Sequence, residues 1–233
     1  MSGGRDRALM RVPAPLPPDE ARAERQYALD RLHGEMRACQ RCVDAGYLTR
    51  AGGIAGFRGH ISDRYMLIGQ APGRLSVAEG RPFAGPSGRM LDLWLQRAGF
   101  APDALHREVY LSAMTKCDPG KHPTGNGDRK PSPAEVALCR PFLERELELV
   151  RPRVLMLVGG MAIEAFLGPA RLDDVVGASY ERCGVQLLPL PHPSGVSRWL
   201  NDAGHQAMVA RALERLAVWR RDIEAEAKGE RVS

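Results

Sequence analysis

Val154-Leu155-Met156-Leu157-Val158-Gly159-Gly160 is a run of five apolar residues closed by two glycines. A short run with no polar alternation is the pattern of a strand buried on both faces, as in a parallel sheet covered by helices on each side. The glycine pair ends the strand, and a short helix follows to Leu167. Outward from this stretch the pattern recurs. Tyr65-Met66-Leu67-Ile68 stops at Gly69, Val109-Tyr110-Leu111 forms a second run, and Val185-Gln186-Leu187-Leu188-Pro189-Leu190 is halted by Pro191. Helical patterns separate them. Residues 19–38 are amphipathic through Leu32 and Met36, and residues 87–99 gather Leu91, Trp94 and Leu95 on one face with Gly99 as the stop. Ser132-Pro133-Ala134-Glu135 opens another helix, with Ser132 as N-cap, Pro133 at N1 and Glu135 at the capping-box position. A last helix spans about residues 202–225. Strands alternating with helices predict an α/β fold: a three-layer α/β/α sandwich with a central, mostly parallel four-stranded sheet.

The chain has 233 residues, which suits one domain. Residues 1–19 carry four prolines and read as a flexible tail, with residues 20–227 as a single domain. Hydrophobic residues at 44% and charged residues at 26% exclude a disordered chain. No apolar run is long enough for a membrane span, and the N-terminal stretch has no apolar core of a secretory leader, so the expected compartment is the cytoplasm. The net charge of +5 permits nucleic-acid binding without requiring it.

In such sheets ligands bind at the carboxyl ends of the strands. Those ends are Gly69-Gln70-Ala71-Pro72-Gly73, Ser112-Ala113-Met114-Thr115, Gly159-Gly160 and Pro191-His192-Pro193-Ser194. The first is a tight turn that offers backbone N–H groups to a ligand. Phe83, in Arg81-Pro82-Phe83-Ala84-Gly85-Pro86-Ser87-Gly88, is a ring in a Gly/Pro loop, suited to stacking on a planar ligand or to filling the local core. His192, between two prolines, can donate a hydrogen bond to charge developing on a ligand, or sit as a surface histidine. The other histidines, His33, His60, His106, His122 and His205, show no metal spacing and read as surface residues.

Five cysteines are present. Cys39 and Cys42 form C-x-x-C at a helix end, Cys117 follows a strand, and Cys139 lies in a helix. A pair plus two singles is a poor zinc ribbon and fits a four-thiolate iron–sulfur site; small buried hydrophobes and a zinc site are the alternatives. Cys183 has no partner at useful spacing and reads as structural.

Taken together, GQAPG (residues 69–73), RPFAGPSG (residues 81–88), Lys116-Cys117, Cys139-Arg140-Pro141-Phe142-Leu143 and HPSGVSR (residues 192–198) resemble the uracil-DNA glycosylase superfamily, most closely its iron–sulfur family 4 branch. The resemblance covers about residues 35–220. It implies a DNA repair glycosylase that flips uracil, or another deaminated base, out of DNA and hydrolyses the N-glycosidic bond to leave an abasic site. Cys39, Cys42, Cys117 and Cys139 would hold a 4Fe-4S cluster of structural role. Gln70 and Ala71 would position the attacking water, and His192 would stabilise charge on uracil O2. Gly69, Pro72, Gly73, Ser112 and Ala113 would line the base pocket, with Phe83 stacked on the base. Ser87, Gly88, Ser194, Gly195 and Arg198 would meet the DNA, the last three in its minor groove. The partner is DNA carrying a deaminated base, with no membrane, and the protein a monomer.

The chain departs from the family pattern at three places. Gln70 stands where Glu is usual, Ser76 where a second acid often lies, with Glu79 three places on, and Ala113 where an Asn amide reads the uracil edge. Ser112 or Thr115 offers a hydroxyl instead, and Gln70 an amide from the other wall. The departures predict weak uracil excision or altered base choice, such as hypoxanthine or xanthine. They also leave open a cluster-bearing protein that binds damaged DNA without excising the base.

Overall fold

The computed structural model describes residues 9–16, 21–49, 56–122, 127–193 and 198–229. Four strands coincide with the apolar runs: β1 (Tyr65–Gly69), β2 (Val109–Ala113), β3 (Val154–Val158) and β5 (Val185–Leu190). Every residue of β1, β2 and β3 is buried, as strands covered on both faces must be. These four run parallel in the order β2-β1-β3-β5.

A fifth strand corrects the four-stranded expectation. β4 (Tyr180–Arg182) pairs antiparallel with β5 at the sheet edge. Its three polar-edged residues have no apolar signature. The turn between them is Cys183-Gly184, both at positive φ (52° and 76°), the conformation of a two-residue hairpin whose twist matches its strands. Cys183 is exposed in that turn.

Helices cover the two faces. On one lie α1 (Arg22–Arg37), α6 (Pro133–Val150) and α7 (Gly160–Leu167). Leu29, Leu32 and Met36 of α1 and Phe142, Leu143 and Leu147 of α6 pack with Ile163 and Phe166 of α7 on Met66, Ile68, Tyr110, Leu155 and Leu157. On the other lie α4 (Pro86–Arg97), α5 (Ala104–Arg107) and α9 (Ala203–Ala227), where Leu91, Trp94, Leu95, Leu105, Leu213 and Leu216 meet Leu67, Leu111, Met156 and Leu188. Alternate residues of each strand thus feed opposite cores, which makes the three-layer sandwich. Short elements fill the connections: α2 (Arg41–Asp44), α3 (Arg74–Glu79), α8 (Leu172–Val175) and a 3-10 turn at Arg198–Asn201.

Local chemistry sets the helix ends. The Ser132 hydroxyl accepts from the Glu135 N–H (3.3 Å), and the Glu135 carboxylate accepts from the Ser132 N–H (2.7 Å), forming the expected capping box at α6. Gly99, at φ 89°, stops α4. Residues 9–16 are not a free tail: Met10 and Val12 are buried, and the Met10 N–H donates to Ala165 O (2.8 Å). The segment is too short to show periodicity, so its anchoring leaves no signal in the sequence. No described helix is long and apolar enough to cross a membrane.

Candidate active site and thiol cavity

The parallel sheet brings the ends of β1, β2, β3 and β5 to one edge. Gly69 ends β1 and pairs in register with Ala113 at the end of β2. The Phe83 ring lies directly over Gly69: a Cβ there would stand 2.9 Å from Phe83 Cζ, so only glycine leaves room for the ring. Phe83 has a left-handed backbone (φ 54°), a conformation a bulky residue adopts only when its surroundings enforce it. Gly88 enforces it. A Cβ on Gly88 would fall 1.6 Å from the Phe83 carbonyl oxygen. The glycine character of Gly88 therefore serves the Phe83 loop; Gly88 is buried, and Ser87 beside it stays partly exposed in the first turn of α4.

Across the next strand, Gly159 follows β3 and His192 follows β5. A Cβ on Gly159 would lie 3.6 Å from Cβ and Cδ2 of His192, and the Gly159 N–H donates to Leu190 O (2.9 Å). Burial pushes the His192 imidazole below its ordinary pKa of 6.5, which favours the neutral form, and a neutral imidazole carries one N–H. Phe83 and His192 are thus seated on glycines at the ends of two adjacent strands.

The remaining expected residues are distributed as follows. Gln70 and Ala71 are half-buried and Pro72 is buried. Asp128, from the turn-rich loop after Cys117, comes against Gly73, its Oδ2 2.8 Å from where a Cβ would be. Burial and the neighbouring Asp118 raise its pKa. The sequence pattern did not single it out, because the approach spans more than fifty residues. Ser76 is buried in α3, and Glu79 pairs with Arg81 (3.2 Å) in solvent. Arg198 is exposed. Ser194 and Gly195 lie outside the described residues.

Ser112 is turned away from the ring. Its hydroxyl donates to Glu146 Oε2 (2.8 Å) and accepts from Lys116 Nζ (2.7 Å). Glu146, fully buried on α6, also accepts from Tyr110 Oη (3.0 Å), and Lys116 donates to Ala113 O (2.7 Å). Tyr110 in turn meets His33 Nε2 (2.8 Å). This buried polar chain went unread in the sequence, since Glu146 sits 34 residues from Ser112. It also corrects the surface reading of His33, which is 7% exposed. Burial is the main cause lowering its pKa from 6.5 to about 4.

Cys39, Cys42, Cys117 and Cys139 line one cavity with Met36, Leu48 and Phe142. The end of α1 and the start of α2 bring the first two, the chain after β2 the third, and α6 the fourth. Burial, then Cys117, Cys139, Glu135 and Cys39, push the Cys42 thiol up to about 11, and burial raises Cys139. The Lys116 N–H donates to Cys139 Sγ (3.3 Å). Beside the cavity, Arg129 makes a two-pronged pair with Glu135 (2.7 Å each), which lowers the Glu135 pKa to about 2. Mutually repelling thiolates in an apolar cavity are stabilised by bound cationic metal. Among the described residues, no group of three or more His, Cys, Asp or Glu side chains is placed to hold a metal ion; the four cysteines line one cavity.

The sequence profile of the Uracil DNA glycosylase superfamily matches residues 58–217. The Type-4 uracil-DNA glycosylase of Archaeoglobus fulgidus is 31% identical over 179 residues, covering 72% of this chain and 83% of that protein. The Type-4 uracil-DNA glycosylase of Thermotoga maritima is 27% identical over 177 residues, 75% of this chain and 85% of that protein. A Type-5 uracil-DNA glycosylase of Pyrobaculum aerophilum is 29% identical over 150 residues, with 58% and 63% coverage.

Proposed function

Because the chain belongs to the uracil-DNA glycosylase superfamily, and is thus a DNA glycosylase, we propose that it hydrolyses the N-glycosidic bond of uracil in DNA, leaving an abasic site. The observation that carries this reading is the pairing of Phe83 over Gly69 with His192 over Gly159 at one sheet edge. A base flipped from the helix stacks on Phe83. The neutral His192 donates to O2 as the bond to C1′ breaks, where negative charge grows on the leaving base and positive charge on the sugar. The Gln70-Ala71 turn holds the water that adds to C1′; its proton passes to solvent or to the departing base. Ser87, at the first turn of α4, meets the DNA backbone, with Ser194, Gly195 and Arg198 against the minor groove.

In this reading Cys39, Cys42, Cys117 and Cys139 hold a 4Fe-4S cluster, which the presence of all four cysteines in the lining of one cavity supports. When bound, the cluster supplies a cross-link between the α1 end, the chain after β2, and α6; hydrolysis of this bond needs no electron transfer. The protein acts as a monomer in the cytoplasm, where thiols remain reduced.

Incubation with single-stranded and duplex oligonucleotides carrying one uracil is expected to produce alkali-labile abasic sites. Tight binding to those oligonucleotides with no product would favour the damage-binding alternative.

A further inference from the structure

We propose that the Thr115 hydroxyl is the group that hydrogen-bonds the edge of the flipped base and sets which bases are accepted, an inference that rests on the glycosylase reading above. Thr115 is 4% exposed, and its Oγ1 has no hydrogen-bond partner. A buried hydroxyl left unpaired is costly, so it points to a partner supplied from outside the chain. Two other side-chain atoms among the described residues share this state, Tyr65 Oη and Arg220 Nε. Tyr65 starts β1, at the opposite edge of the sheet, and Arg220 lies against Phe100. Thr115 alone of the three stands at the carboxyl edge with Phe83.

Its position follows from the end of β2. Past Ala113 the chain leaves the ladder but stays against the β1 end, the Met114 N–H donating to Gly69 O (2.9 Å) and the Thr115 N–H to Gln70 O (3.2 Å). Tyr110 and Met114 face the α1/α6 core, and Ser112 reaches Glu146 on α6. Ala113, in register with Gly69, and Thr115, whose N–H is bonded to Gln70 O, stand at the end of β1 over which the Phe83 ring lies. Ala113 brings only a methyl group where the family pattern has an amide. The Ser112 hydroxyl has donated its proton to Glu146 and accepts from Lys116. Thr115 remains.

The chemistry of a hydroxyl then defines the substrate class. An amide presents a donor and an acceptor at fixed positions; a hydroxyl is one rotating group that does either. Deaminated bases share a carbonyl beside a ring N–H, at O4 and N3 of uracil and at O6 and N1 of hypoxanthine and xanthine. A single hydroxyl satisfies the carbonyl by donating or the N–H by accepting. The class accepted is therefore keto bases with this lactam edge, with weaker preference among them than a fixed amide would impose.

The test compares wild type, Thr115→Val and Thr115→Ser on oligonucleotides with uracil, hypoxanthine or xanthine, alongside thermal unfolding. Thr115→Val is expected to lose about tenfold or more in kcat/KM on each base the wild type excises, with Tm unchanged or raised, because an unpaired buried hydroxyl has been removed. Thr115→Ser is expected to retain activity. An active wild type matched by Thr115→Val, or an activity loss that tracks a fall in Tm, overturns the proposal. A wild type inactive on all three bases overturns the glycosylase reading itself.

Discussion

Lys116 Nζ lies 2.7 Å from Glu146 Oε2, with both side chains withdrawn from solvent. The pair stands between two places of chemical interest. The backbone N–H of Lys116 touches Cys139 Sγ in the thiol cavity, while its ammonium holds Ser112 and the Ala113 carbonyl at the end of β2. The thiol cavity and the floor beside Gly69 are therefore joined by one residue.

Removing one member of that pair strands a buried charge. Lys116→Met or Glu146→Leu is expected to cost about 3–5 kcal/mol. The double variant Lys116→Met/Glu146→Leu is expected to recover much of this, since two apolar groups replace two ions. Urea unfolding of the three proteins measures it; single variants within about 1 kcal/mol of wild type would contradict the buried pair.

His33 predicts a pH dependence of stability. Its pKa is about 4 in the folded protein against an ordinary 6.5, so the unfolded chain binds the proton more tightly. Its contribution is complete above pH 6.5 and is lost as pH falls from there toward 4, by roughly 3 kcal/mol in all. His33→Gln is expected to flatten the dependence in that window. Denaturation midpoints from pH 7.5 to 4 that fall equally in both proteins would assign the loss elsewhere.

Two glycines separate packing from mere flexibility. Gly88→Ala places a methyl 1.6 Å from the Phe83 carbonyl, whereas a Cβ at Gly160 meets nothing within 4 Å. Gly88→Ala is expected to displace Phe83, costing about 2 kcal/mol or more and most of the excision activity. Gly160→Ala, at the start of α7, is expected to be neutral or slightly stabilising. Equal effects of the two in unfolding and excision assays would sink this account of the Phe83 loop.

What could be read from the sequence is what local chemistry determines. The apolar runs of β1 and β3 declare double burial without reference to anything distant, and Ser132 with Glu135 declares a helix start within four residues. β4 escaped because an edge strand of three residues has one covered face and no run to show. The seat of Phe83 was legible as a Gly/Pro loop, but its dependence on Gly88 emerges only from a close backbone approach. The choice between Ser112 and Thr115 could not be made from either hydroxyl; it was made by Glu146, on a helix the sequence does not join to β2.

The thiol cavity makes a prediction independent of catalysis. Cys42→Ala and Cys139→Ala are expected to abolish bound iron and sulfide and the visible absorbance of the purified protein, while Cys183→Ala, in the exposed hairpin turn, leaves all three unchanged. Zinc in place of iron in the wild type would contradict the cluster assignment.

The account turns on His192 acting as a neutral donor to the leaving base. Single-turnover excision of uracil from a single-stranded oligonucleotide, by wild type and His192→Ala from pH 5.5 to 8.5, tests this most directly. The expected result is a loss of roughly 100-fold or more in His192→Ala, with a wild-type rate that falls only below pH 6.5, the imidazole's ordinary value, because burial lowers its pKa. Equal rates for the two proteins, or a wild-type rate that rises as the imidazole is protonated, would contradict it.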